Sequence, residues 1–182
     1  MAIIENGGHD GAFKLKISAA GSAKVDAATE TEDRHININH KKVWSLPFEG
    51  IDPTGADDYF LRVTNTGSTN LAVTDFRLES TVSGTVEVHS VSGSASAGTT
   101  LTPVNRHIGA SESPSATIET GVDITGLTAI GVLFWINLYT ANKEEHESTS
   151  SNIVIPPGQT MALLWDTPTG VLKGMISLVE LV

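Results

Sequence analysis

Val132-Leu133-Phe134-Trp135-Ile136-Asn137-Leu138-Tyr139 is the stretch on which the reading of the fold turns. A strand with one wet face alternates apolar and polar residues. This stretch is apolar on both faces. Val132, Phe134, Ile136 and Leu138 form one, and Leu133, Trp135 and Tyr139 form the other, with only Asn137 interrupting. In a two-sheet β protein one face fills the core, so the second needs another cover, most simply a neighbouring subunit. The stretch therefore points to assembly more than to chemistry, with Phe134, Trp135, Ile136, Leu138 and Tyr139 as the expected subunit interface.

Around it the chain reads as short strands between Ser/Thr/Gly turns. Towards the N-terminus the expected strands are 34–40, with Ile36 and Ile38 on one face, and 42–49, with Trp44, Leu46 and Phe48 on one face. Next is 58–65, where Tyr59, Leu61 and Val63 oppose Phe60 and Arg62, and then 71–80 and 84–91. The turns Asp52-Pro53-Thr54-Gly55, Asn65-Thr66-Gly67 and Ser83-Gly84 carry residues suited to pre-set or positive φ. Residues 92–127, rich in Ser, Thr, Gly and Ala, read as a long crossing between sheets. Strands follow at 128–140, 152–155, 159–166 and 171–182, separated by Pro156-Pro157-Gly158-Gln159 and Asp166-Thr167-Pro168-Thr169-Gly170. No helical periodicity lasts beyond about two turns. About eight strands from Trp44 onward predict an all-β fold, a two-sheet antiparallel jelly-roll sandwich over 34–182. The apolar end Leu178-Val179-Glu180-Leu181-Val182 should be tied into a sheet.

Residues 1–33 differ. Phe13-Lys14-Leu15-Lys16-Ile17-Ser18 alternates and could form one short strand, but Asp26 to Asp33 has no apolar face to bury. The segment reads either as an extended N-terminal arm that orders on a partner, contacting it through Phe13, Lys14, Leu15, Lys16 and Ile17, or as a floppy terminus without such a role.

Composition bounds the function. Apolar residues at 40% are enough for a real core in a chain of 182 residues, which suits one domain with an appendage. There is no cysteine, which fits synthesis in a reducing cytoplasm. The N-terminus shows no basic-then-apolar signal pattern, and no apolar stretch approaches the ~18–20 residues of a membrane span, so neither secretion by that route nor a membrane partner is expected. The net charge is −10, and residues 1–42 balance to zero, so the whole excess lies in 43–182. An acidic globular part argues against nucleic acid as a partner, because phosphate contacts need clustered Lys and Arg.

No catalytic constellation stands out. His35 and His40 are five apart on an expected strand and so face opposite ways, while His9, His89, His107 and His146 are scattered with no cysteine to complete a zinc set. Glu144-Glu145-His146-Glu147 reads as a solvated loop, without the apolar surroundings that raise a catalytic carboxylate's pKa. Asp52, Asp57 and Asp58 flank a Pro-Thr-Gly turn but lack EF-hand spacing. There is no Gly-x-Ser-x-Gly elbow, phosphate loop or dinucleotide fingerprint. Trp44, Trp135 and Trp165 lie in apolar strands and suit core or interface better than a sugar platform. No catalytic residue, cofactor or metal is expected.

Three blocks carry a resemblance. They are Val43-Trp44-Ser45-Leu46-Pro47-Phe48-Glu49-Gly50 leading into Asp57-Asp58-Tyr59-Phe60, then Gly98-Thr99-Thr100-Leu101-Thr102-Pro103-Val104-Asn105-Arg106, then Ile153-Val154-Ile155-Pro156-Pro157-Gly158-Gln159. In this order the chain resembles tailed-bacteriophage capsid decoration (cement) proteins with a jelly-roll fold, over roughly residues 40–182. The resemblance implies a non-enzymatic virion protein, often a homotrimer, that sits on the capsid surface and clamps neighbouring major capsid protein subunits. It also implies an N-terminal arm that reaches to an adjacent copy. A glycan- or receptor-binding β-sandwich, such as an adhesin, head fibre or tail protein, is the competing expectation.

Overall fold

The computed structural model describes residues 16–17, 23–24 and 32–181. The chain divides into two compact units, Met1–Glu32 and Asp33–Val182. In the first, β1 (Lys16–Ile17) pairs antiparallel with β2 (Ala23–Lys24), Lys16 facing Lys24 and Ile17 facing Ala23. A helix, α1 (Glu32–His40), leads into the second. There the strands are β3 (Val43–Ile51), β4 (Asp58–Asn65), β5 (Leu71–Ser80), β6 (Gly84–Ser96), β7 (Thr99–Thr100) and β8 (Val104–Asn105). They continue as β9 (Ala116–Thr120), β10 (Thr125–Leu138), β11 (Glu145–Ile155), β12 (Thr160–Trp165) and β13 (Leu172–Glu180).

These strands form a six-stranded sheet, β10-β6-β12-β4-β9-β7, and a five-stranded sheet, β11-β5-β13-β3-β8, antiparallel throughout. The long strands pair in a nested series: β3 with β13, β4 with β12, β5 with β11 and β6 with β10. One long hairpin rolled up so that its successive strands fall in opposite sheets is a jelly roll. β7, β8 and β9 are an insertion at the far end of that hairpin.

The core lies between the sheets. Alternation on β3 turns Trp44, Leu46 and Phe48 inward and leaves Ser45 and Pro47 outside. Phe60, Phe76, Ile136, Leu163, Trp165 and Ile176 are among the buried residues they join or neighbour. Each such side chain contributes about 1.5–3 kcal/mol by leaving water. Two buried indoles also need a polar partner. Trp44 Nε1–H donates to the Glu112 carbonyl and Trp165 Nε1–H to the Thr169 carbonyl, each at 2.9 Å. The C-terminal segment is tied in as expected, since Val179 pairs with Val43 on one side and Ala72 on the other.

Several local readings change. Residues 34–40 are helical, not a strand, and the two isoleucines part company. Ile36 is buried against Val43, Ala72 and Val179, while Ile38 is exposed, since positions two apart point to different sides of a helix. Segment 92–127 is not a crossing from one sheet to the other: it leaves β6 and returns to β10 of the same sheet, β7 and β9 extending that sheet and β8 adding to the other on the way. β4 holds an extra residue against β12, Leu163 facing Leu61 and Leu164 facing Tyr59. That bulge puts Phe60 in the core together with Leu61 and Val63, and separates Tyr59 from them. Glu145, His146 and Glu147 belong to β11 and stand opposite Leu78, Arg77 and Phe76, so only Glu144 stays in the loop.

Candidate interaction surface

β10 is the outermost strand of the six-stranded sheet. Its backbone pairs with β6 on one side, and no other described strand is hydrogen-bonded to its free edge. The ladder to β6 is broken by residues that have no opposite number. Ala129 faces Val91 and Gly131 faces Ser90, leaving Ile130 extra; Val132 faces His89 and Phe134 faces Val88, leaving Leu133 extra. Both bulged residues are exposed.

β12 accompanies β6 only as far as the Thr160–Val91 pair. Past that point β6 and β10 run on as a two-stranded ribbon, over Ser92–Ser96 and Thr125–Thr128. Gly93 and Gly126 make its close backbone approach possible. A Cβ on Gly93 would sit 2.3 Å from the Gly126 carbonyl oxygen, and one on Gly126 would sit 2.3 Å from that of Ser94. The exposed apolar residues Ile130, Val132 and Leu133 follow directly after this ribbon, on the part of β10 that lies beside the full sheet.

From Phe134 onward the ladder is regular, and the expected interface divides in two. Ile136 and Leu138 are each 1% exposed and belong to the chain's own core, where Phe134 also packs, its ring edge-on to Phe76 at 5.5 Å. As interface residues, Ile136 and Leu138 are therefore corrected: the sandwich has already used them. Trp135 at 59% and Tyr139 at 77% exposure remain available, with Leu133, Ile130 and Val132 beside them. Val132 lies outside, not with Phe134, because the extra Leu133 shifts the alternation between them.

Trp135 is held in place. Its Nε1–H donates to Glu87 Oε1 at 3.1 Å. The other carboxylate oxygen of Glu87 lies 2.7 Å from His89 Nε2, and His89 Nδ1 lies 3.0 Å from the Tyr59 hydroxyl. With the Nε2 proton given to Glu87, Nδ1 accepts from Tyr59, so four side chains from β10, β6 and β4 form one chain of hydrogen bonds. Ala162 of β12 stands opposite His89, and its methyl group leaves room for the tyrosine to reach over. Burial, with the nearby Glu87 carboxylate, pushes the Tyr59 phenol above its ordinary pKa, which keeps it protonated as the donor to His89. Glu87 and His89 were legible as same-face neighbours two apart on a strand; Tyr59, distant in sequence, was not.

The other candidate residues have structural partners. Asp58 Oδ2 accepts from Thr54 Oγ1–H at 3.1 Å and Gly55 N–H at 2.6 Å, and Asp57 occupies the left-handed region at φ 65°, so turn chemistry accounts for both. Glu145 is bonded by Lys143 at 3.0 Å, and His146 meets Asp75. Among the described residues no group of three or more His, Asp or Glu side chains is placed to hold a metal ion. No helix among them is long and apolar enough to cross a membrane. An open groove of about 750 Å³ is lined by Phe48, Leu101 and Met175 with Glu49, Arg77 and Lys173 at its polar parts. Lys173 is occupied by Glu79 at 2.9 Å, and Arg77 by Asp75 at 3.3 Å.

Of the expected arm contacts, Phe13, Lys14 and Leu15 lie outside the described residues, and Lys16 and Ile17 form β1. No family model matches this chain, and no curated protein or solved structure matches it either.

Proposed function

We propose that this chain is a non-enzymatic structural protein of a bacteriophage virion, a jelly roll that self-associates and stabilises a capsid by clamping neighbouring major capsid protein subunits. The observation that carries the self-association is the free edge of β10, where Trp135 and Leu133 are presented to solvent on a strand whose opposite face is already packed, with Tyr139 exposed directly after it. The identity of the shell rests on the sequence resemblance of the three blocks, and the jelly-roll topology agrees with it. The N-terminal segment, with Lys14 and Lys16 among Phe13, Leu15 and Ile17, is the proposed attachment to the capsid. Each bound copy would add contact area across a joint of the shell, so shell stability would rise with occupancy by mass action.

The test is co-sedimentation of the full chain with shells of the cognate major capsid protein, followed by the heat midpoint of the shell at increasing occupancy. Binding with a rising midpoint is expected. A chain that stays in the supernatant would sink the reading. One observation favours a second reading, a glycan-binding module: Trp135 offers an exposed indole face held by Glu87. Binding on a glycan array that Trp135→Ala abolishes would favour it.

A further inference from the structure

We propose that the free edge of β10 is where a second copy of this chain adds on, antiparallel and edge to edge about a two-fold axis. This rests on the self-association proposed above and supplies its geometry and copy number. A strand that pairs with its own equivalent through the same edge does so about a two-fold, since that contact is isologous. The two six-stranded sheets then join into one.

The other sheet edges are poor alternatives. β7 and β8 are two residues long, too short for a ladder. β11 is long, but an edge contact between two copies would bring the charged Glu145, His146 and Glu147 of each into the joint. β10 has neither defect. No charged residue occurs between Asp123 and Lys143. In a chain of net charge −10 this uncharged span is where two copies approach without placing like charges opposite each other. The strand also lacks the lysine and proline residues by which exposed edges commonly avoid pairing.

Its bulges set the limits of the contact. They fall between Thr125 and Leu127, at Ile130 and at Leu133, so regular pairing starts at Phe134, where the ladder to β6 is unbroken to Leu138. The outward side chains flanking the axis, Leu133 and Trp135, would be covered by their counterparts.

The absence of native cysteine makes the test direct. Single cysteines are placed in the full chain at each position from 133 to 139, and oxidative cross-linking between copies is read beside solution mass by light scattering. On a two-fold antiparallel ladder, equivalent residues move apart by about 6.6 Å for every residue away from the axis. A disulfide needs Cα atoms within about 7 Å. Cross-linking should therefore peak at one position, or two adjacent ones, and vanish on both sides, in a dimer. Asn137→Lys, at an exposed position, should halve the mass while leaving the circular dichroism spectrum that of the parent. A trimer, or cross-linking without a peak, overturns the two-fold pairing and leaves self-association standing. A monomer overturns both.

Discussion

Lys42, on the approach to the first strand of the sandwich, and Glu180, at the end of the last, meet at 2.5 Å. Burial by itself would push the Glu180 carboxyl up. Hydrogen bonds from Lys42 Nζ, the Ser115 N–H and Thr69 Oγ1, together with the Lys42 charge, more than offset that and hold it below the usual carboxylate range. A carboxyl depressed in the folded state stabilises the protein fully above its unfolded pKa of about 4.3, and the contribution is lost as pH falls through the folded value. Glu180→Gln should therefore flatten the fall of the urea midpoint below about pH 4.3. Lys42→Met should cost about 1–3 kcal/mol at neutral pH by leaving a buried carboxylate short of a donor. Urea titrations at several pH values check both.

Asn65 ties two turns together from a fully buried position. Its Nδ2 donates to the Thr69 and Ile155 carbonyls, each at 2.8 Å, and its Oδ1 accepts from Gly67 N–H at 2.9 Å. Asn65→Ala strands all three partners and should cost about 3 kcal/mol. Asn65→Asp should be no better, because it aims a carboxylate at two carbonyl oxygens. Denaturant midpoints of the two variants give the comparison.

Glu87 serves both a buried group and an exposed one. Glu87→Ala leaves His89, which is 5% exposed, without a partner at Nε2, and should cost about 1–3 kcal/mol by urea titration. Glu87→Gln keeps hydrogen-bonding capacity and should cost less. Trp44 and Trp165 are buried and Trp135 is not, so acrylamide should quench one component of the fluorescence, and Trp135→Phe should remove that component. If the self-association is real, the same component becomes protected as protein concentration rises; quenching that ignores concentration would count against it.

Gly174 packs where no side chain fits. A Cβ there would lie 2.3 Å from the Arg77 carbonyl oxygen and 3.1 Å from Phe48 Cζ. Gly174→Ala should cost about 1–3 kcal/mol through forced movement of backbone. In a chain of this size that lowers the heat midpoint by roughly 2–4 °C per kcal/mol, which calorimetry resolves.

Most of the sandwich was legible in the sequence because period-two alternation and turn residues are local signals. Trp44, Leu46 and Phe48 sit inward as the alternation requires, and Pro156 to Gln159 closes the turn between β11 and β12. Bulges are not local signals. Nothing in Tyr59-Phe60-Leu61 or Val132-Leu133-Phe134 indicates which residue a partner strand will skip, so the facing of Phe60 and of Val132 was misread. The helix over Glu32–His40 was missed for another reason: two isoleucines spaced by two imitate a strand, and the contact that buries one of them comes from Val43, Ala72 and Val179. The hydrogen-bonded chain from Tyr59 to Trp135 joins three strands, and only the Glu87–His89 step within one of them could be read from spacing.

The nested pairing of the strands has a consequence for how the molecule is made. β3 is among the first strands of the sandwich to leave the ribosome, yet its long partner is β13, the last. Its apolar face, with Trp44 and Leu46, must wait until every other strand of the sandwich has been made before that partner exists. Only the innermost pair, β6 with β10, is near enough in sequence to close early, and even there the insertion intervenes. Such non-local closure makes for slow folding, with strand edges open meanwhile. During birth the uncharged β10 edge is the most adhesive part of an unfinished chain, so the property that would join two finished copies also exposes growing ones to premature capture by each other.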